Sequence, residues 1–380
     1  MQSLINSARL GETFQFLVGI DSVSKEEGEI FLEIKKVLED LGARTFIDDA
    51  GDKIGSGTGN LLGKFKGTTN APPLMLNAHM DTVEPGRGIK PVFADGIFTS
   101  GGDTILGADD KSAIAIIFEV IRVLKENNIP YSPLEIIFTV CEEVGLLGAK
   151  NFNFSLISAK YGYSLDSAET EGLVTNAPAA NRLKFVIYGK DAHAGASPEK
   201  GINAIWLASK AIAGLDMGRI DDETTCNIGT IQGGTATNIV PGIVTVEGEI
   251  RSHDQKKLDH ITEIMVSSFK NTIKKYTDQS IDKNLPRLKY YVEKDFPLNN
   301  IPHDHRVVTL AMEAGKNLGK KIILKKTGGG SDANIFFEKG IMTGVLGTGM
   351  QDVHTVRENI RLADMVSSAE LLLEIIKLHS

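Results

Sequence analysis

A short apolar run ends in a histidine and an aspartate two positions apart, in Pro73-Leu74-Met75-Leu76-Asn77-Ala78-His79-Met80-Asp81-Thr82. Further along the chain come Asp109, the adjacent pair Glu142-Glu143, Asp166 and, far downstream, His354. Taken singly, each fits a helix cap, a surface charge or a core histidine as well as it fits a ligand. Taken together, two imidazoles with several carboxylates and no thiolate make a donor set suited to Zn²⁺, Co²⁺ or Mn²⁺. Five such ligands are too many for one tetrahedral catalytic ion that must keep an open position. They match two ions a few ångströms apart that share a bridging carboxylate and a water, an arrangement that hydrolyses.

To converge, these residues must sit at one edge of a sheet. The run Leu74 to Leu76 reads as a buried central strand, and ligand sites in open α/β sheets lie just outside the carboxyl ends of the strands. The same pattern repeats. Pro133 to Cys141 reads as a strand emptying into Glu142-Glu143-Val144-Gly145, and Tyr161 to Leu165 as a strand ending at Asp166-Ser167. Asp109 and Asp110 open an apolar helix over 112–125. Helices are expected over 3–20 and 26–41, the second stopped by Gly42, and strands over 43–47 and 60–65. The turn Gly55-Ser56-Gly57-Thr58-Gly59 is not a phosphate loop, because no Gly-Lys-Ser/Thr follows and a strand comes next.

The rhythm changes after Asn176-Ala177-Pro178. Strands over 181–190, 225–232, 243–251 and 287–295 alternate with helices over 198–215 and 255–276, a β-α-β-β-α-β ferredoxin-like pattern. The first rhythm then resumes: a helix over 305–318, a strand over 322–324, the turn Gly328-Gly329-Gly330-Ser331-Asp332, a strand over 343–346 and a last helix from Ala363. The expected architecture is α/β, a mixed and largely parallel sheet flanked by helices, with an inserted ferredoxin-like α+β domain. Residues 1–178 and 298–380 form the catalytic domain and 179–297 the insert.

Composition bounds the possibilities. At 380 residues the chain exceeds one typical domain, and 42% hydrophobic with 24% charged residues is ordinary for a soluble globular protein. A net charge of −8 argues against a general nucleic-acid binder. Cys141 and Cys226 lie far apart, which favours a reducing, cytoplasmic setting. No secretory signal is evident, and no run approaches the about 18 apolar residues of a membrane span.

The segments His79-Met80-Asp81-Thr82, Gly107-Ala108-Asp109-Asp110-Lys111, Glu142-Glu143-Val144-Gly145, Leu165-Asp166, Ala192-His193-Ala194-Gly195, Asn238-Ile239-Val240-Pro241 and Asp352-Val353-His354 together resemble the co-catalytic zinc metallopeptidases that include carboxypeptidase G, aminoacylase and peptidase T. The likeness is nearest to peptidase T-like members. It implies that Asp109 bridges two divalent ions, Zn²⁺ with Co²⁺ or Mn²⁺ as alternatives, with His79 and Asp166 completing one site and Glu143 and His354 the other. It also implies that Asp81 orients His79, that Glu142 is the general base, and that the insert covers the site and carries a homodimer contact. Implied substrates are small peptides, cleaved by an exopeptidase, or acylated amino acids, cleaved by a deacylase of the same mechanism. A silent binding protein on this fold would have lost Glu142 or a ligand, and none is missing. No nucleic-acid or membrane partner is implied.

The chain also departs from true tripeptidases. His193-Ala194-Gly195 stands where they carry histidine-proline-glycine, and Ser167-Ala168 replaces glycines after Asp166. Candidate substrate-binding residues are His193, Asn238, Arg251, Gly329 and Gly330. Arg251 reads equally as a solvated strand-edge charge or as a fork for a substrate carboxylate. Asn238 stands before a proline turn, where backbone preference alone would place it. The amides of Gly329 and Gly330 could cradle an anion, or Ser331 and Asp332 could simply cap a helix.

Overall fold

The computed structural model describes residues 3–280 and 284–380. The first two positions of the expected catalytic segment and residues 281–283 of the insert lie outside it. Backbone contacts divide the chain into two compact units, Met1–Ala177 with Asn299–Ser380, and Pro178–Leu298.

In the first unit four strands lie side by side and parallel: Leu134–Thr139, Leu74–His79, Tyr161–Ser164 and Met342–Leu346. Every residue of Leu74–His79 and of Leu134–Thr139 is buried, which is why both are largely apolar rather than alternating, with Asn77 and Glu135 as buried polar exceptions. Leu61–Phe65 extends the sheet antiparallel on one side, and Gly172–Ala177 does so on the other. Gly162 allows two strands to meet closely: a Cβ there would fall 2.1 Å from the Met75 carbonyl oxygen. The Leu74–His79 strand is thereby held at normal pairing distance.

The helix Ala108–Glu126 packs on the Leu74–His79 strand and is in turn covered by the helices Ser7–Val18 and Leu362–His379. Its Ile114, Ile117, Phe118 and Val120 are fully buried. Burial of this kind contributes about 1.5–3 kcal/mol per large side chain, so the helix is firmly anchored just beyond Asp109 and Asp110, whose dihedrals are not helical.

A feature unforeseen from sequence is a small four-stranded sheet of Pro91–Ala94, Ile97–Ser100, Asn359–Arg361 and Met350–Gln351. Its hairpin turns at Asp95 and Gly96, whose φ angles of 51° and 79° match the twist-compatible hairpin turn. This sheet fixes both ends of the stretch that carries His354.

The second unit places its strands in the order Thr224–Gly233, Ile243–Ser252, Ala179–Tyr188, Arg287–Phe296, all antiparallel, the ferredoxin-like order. The helices Ala204–Ile212 and Gln255–Gln279 cover one face, with Phe185 stacked on Phe269 at 3.9 Å. The helix expected over 198–215 is broken. A 3-10 turn, Pro198–Lys200, is followed by an extended Ile202, which exchanges backbone hydrogen bonds with Lys190 (2.8 and 2.9 Å), and the Asn203 side chain then caps the helix that starts at Ala204. A backbone pairing with a distant strand outweighs local helical preference here.

Candidate dinuclear metal centre

The parallel strands deliver side chains to one place. His79 closes its strand, buried, with Nε2 3.0 Å from Asp109 Oδ1. Asp109 turns its other oxygen toward His354, whose Nε2 lies 3.2 Å from Oδ2 and 2.9 Å from Glu143 Oε1. One carboxylate therefore stands between two imidazoles, each facing a different oxygen. His79, Asp109 and Glu143 can present ligand atoms within 4.8 Å of one another, and so can Asp109, Asp110 and Asp166.

The loop after Leu134–Thr139 is set by an unusual series of contacts. Four consecutive backbone amides are each received by a buried side-chain oxygen: Val140 by Asn60 (3.1 Å), Cys141 by Glu27 (2.9 Å), Glu142 by Asp81 Oδ1 (2.9 Å) and Glu143 by Asp81 Oδ2 (3.2 Å). Cys141 adopts φ 52°, so the chain reverses its direction within these residues. Asp81 is itself fixed by the Ser24 hydroxyl at 2.6 Å. His79 Nδ1 lies 2.8 Å from the Asp81 carbonyl and 3.5 Å from its carboxylate, so the nearer partner of the ring is the Asp81 backbone. That contact puts the ring proton on Nδ1 and leaves Nε2 as a donor to a metal.

The charges explain what belongs here. Burial first, and then neighbouring carboxylates, push Glu142 and Asp166 well above the ordinary range; burial raises Glu143 as well. Burial opposes a charge on His79, yet its hydrogen bonds to Asp109 and Asp81 prevail and raise it. Hydrogen bonds to Asp109 and Glu143 raise His354 to about 10. Glu142, Glu143 and Asp166 are driven toward neutrality, while Asp109, despite its burial, is kept ionised by hydrogen bonds to the two imidazoles it stands between; together they describe a site short of positive charge. The donor set of nitrogens and oxygens, without sulfur, fits divalent ions of the zinc type.

Beside Asp109 and Asp166 opens a cavity of about 370 Å³. Ala168, Val174, Val345 and Met350 give it apolar walls, and Gly329, Gly330 and Ser331 form part of its rim. Ser331 caps the following helix reciprocally with Asn334. Asp332 turns inward and bonds the Thr139 hydroxyl, which ties the glycine turn to the end of a central strand.

His193, Asn238 and Arg251 belong to the second unit. Ala192–His193 pairs with Ile239–Val240, and the Ala194 amide donates to the Asn238 carbonyl at 2.9 Å, so His193 and Asn238 share one two-stranded ribbon. His193 Nδ1 accepts the amides of Gly195 (3.2 Å) and Ala196 (3.1 Å). The neutral ring therefore carries its proton on Nε2, at an exposed position. Arg251 reaches Glu249 at 3.0 Å and lies over the Phe296 ring. Sequence reasoning did not single out Ser24, Glu27, Asn60 or Asp110, although Asp110 directly follows a marked residue and accepts the His79 amide at 3.2 Å.

A peptidase dimerisation domain profile of the M20 type matches residues 179–277, and a peptidase family M28 profile matches residues 60–186. The chain is 30% identical to peptidase T of Fusobacterium nucleatum over 78% of its own length and 71% of that protein's. It superposes with a TM-score of 0.91 on the crystal structure of aminopeptidase PepT from Bacillus cereus, at 42% identity and 99% coverage of both chains. A tripeptidase structure from Staphylococcus aureus gives a TM-score of 0.93 at 38% identity, again covering 99% of each.

Proposed function

Because this chain belongs to the M20 peptidase family, as a peptidase T-like member, we propose that it is a zinc aminopeptidase that cleaves tripeptides in the cytoplasm as a homodimer. It is a metallo-exopeptidase that hydrolyses peptide bonds with two divalent metal ions. The observation that carries the assignment of residues is Asp109, with one oxygen toward His79 and the other toward His354. In this reading Asp109 is shared, Asp166 joins His79, and Glu143 joins His354. Two relatives described as an aminopeptidase and a tripeptidase, similar along almost the whole chain, support the substrate class. The dimerisation profile over 179–277 supports the homodimer. Two buried cysteines left as thiols suit a reducing compartment, and among the described residues no helix is long and apolar enough to cross a membrane.

The chemistry that two divalent ions supply at such a donor set is polarisation of the scissile carbonyl and acidification of a water. Glu142 moves the proton. Its carboxylate takes one at Oε from the attacking water and returns it to the leaving amine nitrogen. Asp81 fixes where this happens, because its two oxygens hold the Glu142 and Glu143 amides. The cavity beside Asp166 takes the substrate side chain next to the scissile bond, and its apolar walls favour small or medium aliphatic groups. His193 offers Nε2–H to the oxyanion. A hydrolysis panel on the Zn²⁺-loaded enzyme tests the proposal, with unblocked tripeptides, dipeptides and N-acyl amino acids at equal concentration. Tripeptides should turn over fastest; preference for N-acyl amino acids would replace the peptidase with a deacylase.

A further inference from the structure

Glu358 lies four residues beyond His354 and is 1% exposed. Its Oε2 accepts the backbone amides of Leu106 and Gly107, each at 2.7 Å, and its Oε1 accepts the amide of Asp109 at 3.0 Å. These amides lie where the chain enters the Ala108–Glu126 element: Gly107 has φ 75°, and Asp109 and Asp110 depart from helical dihedrals before the regular helix begins. Glu358 thus receives, from some 250 residues away in the chain, three backbone amides of the irregular segment that leads into the helix. At the other end, its own amide donates to the Thr355 carbonyl at 3.0 Å, and the Thr355 hydroxyl donates to the Asp352 carbonyl at 2.7 Å. His354 sits within that turn.

Two connections therefore run between the same two segments. Asp109 meets His354 through side chains, and the Asp109 amide meets Glu358. We infer that Glu358 is a positioning residue for the metal centre: it fixes the Asp109 backbone against the His354 turn so that one carboxylate can serve both imidazoles. The inference rests on the dinuclear reading above. A neutral side chain of equal size would satisfy this cradle poorly. The glutamine amide group presents N–H where a backbone N–H already points, so at least one donor would face another donor. A misplaced Asp109 weakens both ions together, because it is the ligand they share.

The test is calorimetric titration of Co²⁺ into the chelator-stripped full-length protein, with the visible absorption of bound Co²⁺ as a second readout. Wild type should take two equivalents. Glu358→Gln should bind both about 10- to 100-fold more weakly, the usual cost of losing a group that holds a metal ligand, and its Co²⁺ spectrum at saturation should differ. Glu135→Gln is the control for a merely structural role. Glu135 is also a buried carboxylate, and it receives the amides of Ser158 and Ala159, both at 2.8 Å, in a place that carries no ligand. It should lower the melting temperature and leave Co²⁺ affinity unchanged. If Glu358→Gln fails to fold, Glu358→Asp, which keeps the charge but loses one methylene of reach, takes its place and should show the same direction of change. A Glu358 variant that binds Co²⁺ as tightly as wild type, or no more weakly than Glu135→Gln, overturns the inference alone. Wild type taking fewer than two equivalents overturns the dinuclear reading and the inference with it.

Discussion

Asp81 Oδ1 accepts the backbone amide of Glu142 at 2.9 Å while Oδ2 accepts that of Glu143 at 3.2 Å. A single buried carboxylate thus sets the position of the proposed base and of a proposed ligand, although it touches the side chain of neither in these contacts. Asp81→Asn should lower kcat about 10- to 100-fold, because the new amide group can accept through only one of its two atoms. Steady-state kinetics with metal analysis checks this; unchanged kcat at full metal content would refute it.

The adjacent glutamates should separate cleanly. Glu142→Gln is expected to keep both metals and to lose turnover by about 10²- to 10⁴-fold, the usual worth of a positioned acid/base. Glu143→Gln should instead lose affinity for one equivalent, since its carboxylate faces His354 at 2.9 Å. Indistinguishable metal contents in the two variants would mean that the roles are wrongly divided.

Stripped of metal, the protein should become less stable as the solution turns alkaline. His354 titrates near 6.5 when unfolded and at about 10 in the folded chain, because Asp109 and Glu143 hold its charged form. A raised folded pKa contributes stability that is complete below about 6.5 and lost as pH climbs through about 10. Glu143, also raised, acts with the same sign at lower pH. The imidazole is half-exposed, so the amplitude should be small. Melting temperatures of chelated protein between pH 6.5 and 10 provide the measurement, and His354→Gln should make the profile shallower while His79, raised in the same direction, keeps part of the slope.

His193→Ala should reduce kcat by about 10²- to 10³-fold if its Nε2–H stabilises the oxyanion. Mixing inactive His193→Ala subunits with inactive Glu142→Gln subunits then reports which subunit supplies the imidazole. Regained activity would place it in the partner, since a homodimer sharing its sites would contain one intact site per mixed pair, and no rescue on verified subunit exchange would place it within one chain. Full activity of His193→Ala by itself would end the hypothesis.

Gly162→Ala should be strongly destabilising. Its Cβ would lie 2.1 Å from the Met75 carbonyl oxygen, an atom of the central strand with no freedom to move aside. Thermal denaturation should show a loss of several degrees or no folded protein at all; a wild-type midpoint would show that the strands can part there.

Much of this could be read directly from residue order. The strands ending at His79 and Thr139 are mostly apolar because both faces are covered, and strands of the insert such as Ile243–Ser252 alternate because only one face is. What escaped reading is non-local. The helix over 198–215 breaks because Ile202 pairs with Lys190, a partner outside any local window. Asn60 and Glu27 look like ordinary polar residues, and only the folded chain brings them to the amides of Val140 and Cys141. The small sheet could have been found, since Asp95-Gly96 between Pro91–Ala94 and Ile97–Ser100 is a strong hairpin signal.

The order of the strands in space also sets an order in time. Met342–Leu346 lies between Tyr161–Ser164 and Gly172–Ala177, yet a ribosome makes it more than 160 residues after either neighbour begins. The whole insert, Pro178–Leu298, emerges in that interval. Growing chains fold domain by domain as they appear, so the later-made insert can reach its native form while the earlier-made sheet still waits with a gap in its middle. During synthesis the catalytic half is thus the vulnerable one, with two unpaired strand edges exposed until its closing strand arrives.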